Sequence, residues 1–191
     1  METHIREKQE QFLDLVEPHK AGLLRFCRAL SKTGDTAKDL ASEAILITYE
    51  RFDSIRDKTV IKSYLYTIAS RLARTERNIA KRNASYDEAS SIEYTGASPD
   101  VLTDIHLLQE AMNKLPEKQR EAIIMFEISG LSLLEIKDIQ GGSLSGVKMR
   151  LSRGKEELAK LLGVENNKAQ EYKKSESASK KFKTIVRTPI L

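Results

Sequence analysis

Apolar positions along this chain recur at helical spacing, and the strict alternation that marks a half-buried strand is scarce. Phe12, Leu13 and Val16 form a first stripe that the pattern ends before Pro18, and Leu23, Leu24, Cys27 and Leu30 form the next. Gly34-Asp35-Thr36 reads as a turn and helix start, with Thr36 and Asp39 at the spacing of a weak capping box. A helix through Leu40, Ala44 and Ile47 towards Phe52 follows. Another is predicted from Thr59 to Arg82 with Ile61, Leu65, Ile68, Ala69 and Leu72 inward. Periodicity then lapses in a stretch rich in Ser, Ala, Tyr and acidic residues. Pro99, tolerated in a first turn, restarts it, and Val101, Ile105, Leu108, Met112 and Leu115 make a stripe. After Pro116 a helix carrying Ala122, Ile123, Met125 and Phe126 runs to Gly130. The pattern predicts an all-α chain of two small helical modules, residues 8–82 and 101–163. A flexible linker at 83–100 joins them, and a polar tail follows at 164–191.

The second module ends in a short helix, a glycine turn and a longer basic helix, the order of a helix-turn-helix. Ser132 with Glu135 is a capping box, Gly141 and Gly142 supply the positive backbone angle of a sharp turn, and Ser143 caps the second helix. Leu144, Val147, Leu151, Leu158 and Leu162 form one inward stripe, with Lys148, Arg150, Arg153 and Lys155 off it. Arg and Lys on such a helix neutralise phosphates and bond to guanine edges. The same pattern also describes an amphipathic helix with a solvated charged face.

Composition narrows the chemistry. Thirty-two Lys and Arg against 28 Asp and Glu leave a net charge of +4, a mild bias towards an acidic polymer as partner. The tail carries seven of those cations against three acids. One cysteine, Cys27, excludes a disulfide framework and a cysteine metal site, and its neighbours mark it as a small buried hydrophobe. His4, His19 and His106 are scattered, with no metal-ligand spacing, phosphate-binding glycine loop or nucleophile motif. These observations predict no enzyme, no cofactor and no metal. No apolar run approaches membrane-spanning length, so the expectation is a cytoplasmic protein without membrane insertion.

Four local words, in order, resemble the sigma-70 family of bacterial RNA polymerase initiation factors, most of all the short extracytoplasmic function (ECF) group. Asp39-Leu40-Ala41-Ser42-Glu43 is similar to the family's Asp-Leu-x-Gln-Glu, and Ser63-Tyr64-Leu65-Tyr66-Thr67-Ile68-Ala69 to its Trp-Leu-x-x-Ile-Ala. Leu115-Pro116-Glu117-Lys118-Gln119-Arg120 resembles Leu-Pro-x-x-x-Arg. Glu135-Ile136 with Gly146-Val147-Lys148-Met149-Arg150-Leu151-Ser152-Arg153-Gly154 resembles Glu-Ile-Ala and then Thr-Val-Lys-x-Arg-x-x-Arg-Ala. Tyr64 stands where Trp is usual, Ser42 where Gln is, Arg71 and Thr75 where Asn and Asp are frequent, Lys137 in place of Ala and Gly146 in place of Thr. Gly146 is expected to leave a base-facing position bare.

The resemblance implies that the first module binds the polymerase core and the −10 promoter element, while the second binds the −35 element. Asp39 and Glu43, four residues apart on one helix face, would meet the core. Arg71, Arg74, Arg77 and Lys81 would track the phosphates of the −10 region, with Tyr64 and Tyr66 as stacking candidates beside ordinary packing. Ser145, Lys148, Arg150 and Arg153 would serve the −35 element, Lys148 and Arg153 on phosphates and Arg150 or Ser145 at base edges. An anti-sigma factor is a further expected partner. A stand-alone helix-turn-helix regulator, and a degenerate sigma-like protein that binds polymerase without initiating, stay open at this stage.

Overall fold

The helical periodicity is realised throughout the computed structural model, which describes residues 2–31, 33–83 and 99–163. Among those residues there is no strand. The expected tail, and all of the expected linker except its ends, lie outside them. The chain divides into two compact units, Met1–Ile92 and Glu93–Leu191.

In the first unit, α1 (Glu2–Leu30), α2 (Gly34–Glu50) and α3 (Ile61–Asn83) each pack on the other two. The break expected before Pro18 does not occur, and α1 runs straight through it. An interior proline removes one backbone bond and costs about 3 kcal/mol. Phe12 and Val16 on one side, with Leu23 and Phe26 on the other, are all buried and hold both halves of the helix against the core. Phe12 meets the rings of Tyr49 and Phe52 edge-on, at 5.1 and 5.3 Å between centroids. The cap of α2 also falls earlier than expected. Thr33, not Thr36, accepts the first amide bond, from Thr36 N at 3.2 Å, because its backbone is extended where Thr36 is already helical. Asp57 caps the short 3-10 turn at Lys58–Val60 that leads into α3. Cys27 is buried as expected, and desolvation pushes its thiol up to about 12, so it stays a neutral core side chain.

In the second unit, α4 (Pro99–Lys114) and α5 (Glu117–Ile123) precede a single π-helical turn, Ile124–Ile128. Then come α6 (Leu133–Gln140) and α7 (Leu144–Leu161). Ile123, Ile124, Met125, Leu131, Ile136 and Val147 are buried at the centre of this unit. Within the wide turn Phe126 is 36% exposed. Gly154 lets α5 and α7 approach closely: a Cβ there would lie 2.9 Å from Ile123 Cδ1 and 3.2 Å from Gln119 Cβ. Leu162 does not join the inward stripe. It lies past the end of α7 as its C-cap and is 39% exposed, while Val147, Leu151 and Gly154 form the buried line.

Candidate nucleic-acid interface

The turn between α6 and α7 is built as its residues require. Ser132 Oγ accepts from Glu135 N while the Glu135 carboxylate accepts from Ser132 N at 2.7 Å, both arms of the capping box. Gly141 and Gly142 hold φ of 72° and 92°, values that side-chain-bearing residues seldom adopt. Ser143 Oγ accepts from Gly146 N at 3.1 Å and opens α7.

Tertiary packing then sorts four of the five cations of α7, the fifth, Lys160, lying in its last turn. Lys155 turns back over the π turn, donating to Glu127 at 2.7 Å and lying 5.3 Å from the Phe126 ring centroid. Arg150 is half-buried; Nη1 donates to Gln140 Oε1 and Nη2 to the Gly141 carbonyl at 2.9 Å. Lys148 and Arg153 are exposed and make no ion pair among the described residues. At about 100° of rotation per residue, Ser145, Met149 and Ser152 fall opposite the buried line of α7. Lys148 flanks them on one side and Arg153 on the other. All five are exposed, Met149 to 51%. Ser152 Oγ donates to exposed Glu156 Oε1 at 3.0 Å on the same line, and the short and apolar side chains N-terminal to it, between two cations, suit a groove whose floor is base edges and whose walls are phosphates. Sequence reasoning missed Met149 and Ser152; their spacing as the complement of the buried line was the available signal. Gly146 does not leave a base-facing gap, since a Cβ there would meet Ser143 Oγ at 3.3 Å and Arg150 Nη2 at 3.7 Å.

On α3 the two tyrosines part company. Tyr66 is 1% exposed and packs on Phe26, with ring centroids 5.1 Å apart, so it is a core side chain and not a stacking platform. Its hydroxyl closes on α1, where a Cβ at Gly22 would lie 2.7 Å from Tyr66 Oη. Tyr64 is half-buried and shares a face with exposed Arg71, seven residues on. Arg74 and Arg77 are half-buried on the same helix, and the side chain of Lys81 lies outside those described. On α2, Asp39 and Glu43 are both exposed, on the side away from buried Leu40, Ala44 and Thr48. Leu46, 50% exposed, continues their stripe, an apolar member that charge-based reading passed over. Arg120, in the third sequence word, is buried and donates to Asn113 Oδ1 at 2.9 Å, a structural use of that motif.

Fold and surface together define a class: a helical protein in two parts, with an exposed acidic face on α2 in the first and a basic helix-turn-helix in the second. Comparison with known proteins gives it a family. The model described as Sigma-70 region 2 matches residues 15–83, and that for Sigma-70, region 4 matches 105–164. The ECF RNA polymerase sigma factor SigW of Bacillus subtilis is 31% identical over 169 residues, covering 81% of this chain and 90% of the relative. EcfG of Rhodopseudomonas palustris is 28% identical, covering 75% and 80%. The sigma factor RpoE of Bartonella quintana, solved with the anti-sigma factor NepR, has a TM-score of 0.59 at 26% identity, covering 84% of this chain and 99% of that one. The chain belongs to the ECF sigma factors of the sigma-70 family, proteins that direct RNA polymerase to promoters and are not themselves catalysts. Among the described residues no helix is long and apolar enough to cross a membrane.

Proposed function

We propose that this sigma factor engages its promoter at two points and its polymerase chiefly through α2. The ridge Ser145–Met149–Ser152 of α7 reads base edges of the −35 element, Lys148 and Arg153 hold the phosphates on either side, and Met149 favours a thymine methyl. The observation that carries this reading is that Arg150 and Lys155 are held by partners within the unit, while Lys148 and Arg153 stay exposed on either side of the ridge. Tyr64, Arg71, Arg74, Arg77 and Lys81 of α3 attend the −10 element, with Tyr64 the stacking residue. Asp39, Glu43 and Leu46 dock on a basic, partly apolar patch of the polymerase core. The factor works in the cytoplasm beside polymerase. An anti-sigma protein is a partner by analogy with the Bartonella quintana complex.

Reconstitution with bacterial core polymerase and sequencing of transcript 5′ ends tests the whole reading. Promoter-specific starts that shift when the −35 element is changed are expected. Binding to polymerase without starts would mean a degenerate factor.

A further inference from the structure

Arg150 sits on the DNA-reading helix, yet its guanidinium points away from the open ridge. One arm of the fork holds the Gln140 amide oxygen and the other the Gly141 carbonyl at 2.9 Å, at the C-terminal end of α6. Gln140 carries the connection further: its Nε2 donates to the Lys118 carbonyl on α5 at 3.0 Å. The path therefore runs from α7 through the end of α6 to α5, crossing the turn between the two helices. The turn makes room for it, since a Cβ on Gly142 would stand 3.1 Å from Arg150 Nη2. A cation at a helix C-terminus also meets the negative end of its dipole and carbonyls left without an intrahelical partner. Only a planar fork satisfies both acceptors at once; a lysine ammonium has no fixed pair of donors at that spacing.

From this geometry we infer that Arg150 is a positioning residue, which with Gln140 clasps α7 to α6 and α5 and sets the angle at which the ridge meets the −35 element. It reads no base itself. This rests on the proposed role of α7 at the −35 element. A clasp and a base reader differ in signature: loss of a reader relaxes selectivity at one base pair, while loss of a clasp weakens every −35 contact together.

The test uses full-length protein as holoenzyme, with promoters substituted singly at each −35 position and start-site yield normalised to polymerase-bound protein. Arg150→Ala is expected to lower −35-dependent initiation roughly tenfold, evenly over all positions, because a charge-assisted pair of bonds is lost. Gln140→Ala should reproduce the even loss more weakly, the double variant should do no worse than Arg150→Ala, and Arg150→Lys should recover only part. A loss confined to one base pair, or additive effects of Arg150→Ala and Gln140→Ala, overturns the clasp. A denaturant double-mutant cycle on the free chain reads the Arg150–Gln140 coupling without DNA, and zero coupling there also overturns it. Wild-type holoenzyme that ignores the −35 sequence, with the coupling intact, would instead sink the role assigned to α7 and the clasp's purpose with it.

Discussion

Helices α3 and α7 are both amphipathic, and each carries residues of a kind suited to nucleic acid just off its buried line, yet the two are sorted by different forces. On α3 the sorting is by rotation: Tyr64 and Tyr66 stand two residues apart, so they point to nearly opposite sides. The core takes Tyr66 and leaves Tyr64 half-open. On α7 Arg150 and Arg153, alike in chemistry and three residues apart, meet different neighbours. One faces the end of α6, and the other is exposed with no ion pair among the described residues. Where the sorting agent is apolar burial, periodicity foretells the outcome. Where it is a polar partner supplied by another element, periodicity is silent.

Four experiments break or sharpen that contrast. The largest effect is expected from the tyrosines: Tyr66→Ala should cost the first unit about 3–5 kcal/mol in denaturant unfolding, and Tyr64→Ala less than about 1 kcal/mol. Similar losses at both would erase the distinction drawn on α3. Next, replacing Lys148 and Arg153 together by Ala should weaken holoenzyme binding to −35 duplex by roughly tenfold or more and reduce its salt slope by about 1.8, near 0.9 per phosphate. Lys155→Ala should leave the slope alone, and a drop there would return Lys155 to the DNA face.

A smaller effect is expected at Gly22. Alanine gains about 1 kcal/mol of helix propensity but collides with a buried hydroxyl, for a net loss of about 1–2 kcal/mol. Pairing it with Tyr66→Phe should recover part of that loss, and strict additivity would show that the hydroxyl is not the obstacle. The smallest effect concerns Asp57, whose carboxyl is held below its ordinary value by hydrogen bonds from the Thr59 hydroxyl and amide. Because the folded value is the lower one, its capping contribution is present above the ordinary carboxylate range and fades as pH falls through the lowered value. An NMR titration should place its midpoint below that of a free Asp, and Thr59→Ala should move it back up.

Much of the architecture was legible in the residues. Helix spacing, the Ser132–Glu135 box and the paired glycines marked the helix-turn-helix, and the four words marked the family. The continuity of α1 through Pro18 was not legible, because a local rule about proline is overruled by apolar anchors on both sides of it. Nor was the π turn at Ile124–Ile128, in which Phe126 is exposed and Glu127 pairs with Lys155. The candidate site was legible as a helix but not as a surface. Lys148 and Arg153 remain open as the reading required, while Met149, Ser152 and Leu46 emerge only once the buried faces are known.

By itself, then, the sequence determined the helices, the division into two units, the turn chemistry and the family, because these follow from short-range spacing and backbone preference. The tertiary structure decided which of several equivalent side chains faces outward. Gln140 and Gly141 draw Arg150 in, and Glu127 draws Lys155 back. Each of these choices depends on an atom brought close by packing between helices, and one-dimensional spacing holds no record of such a neighbour.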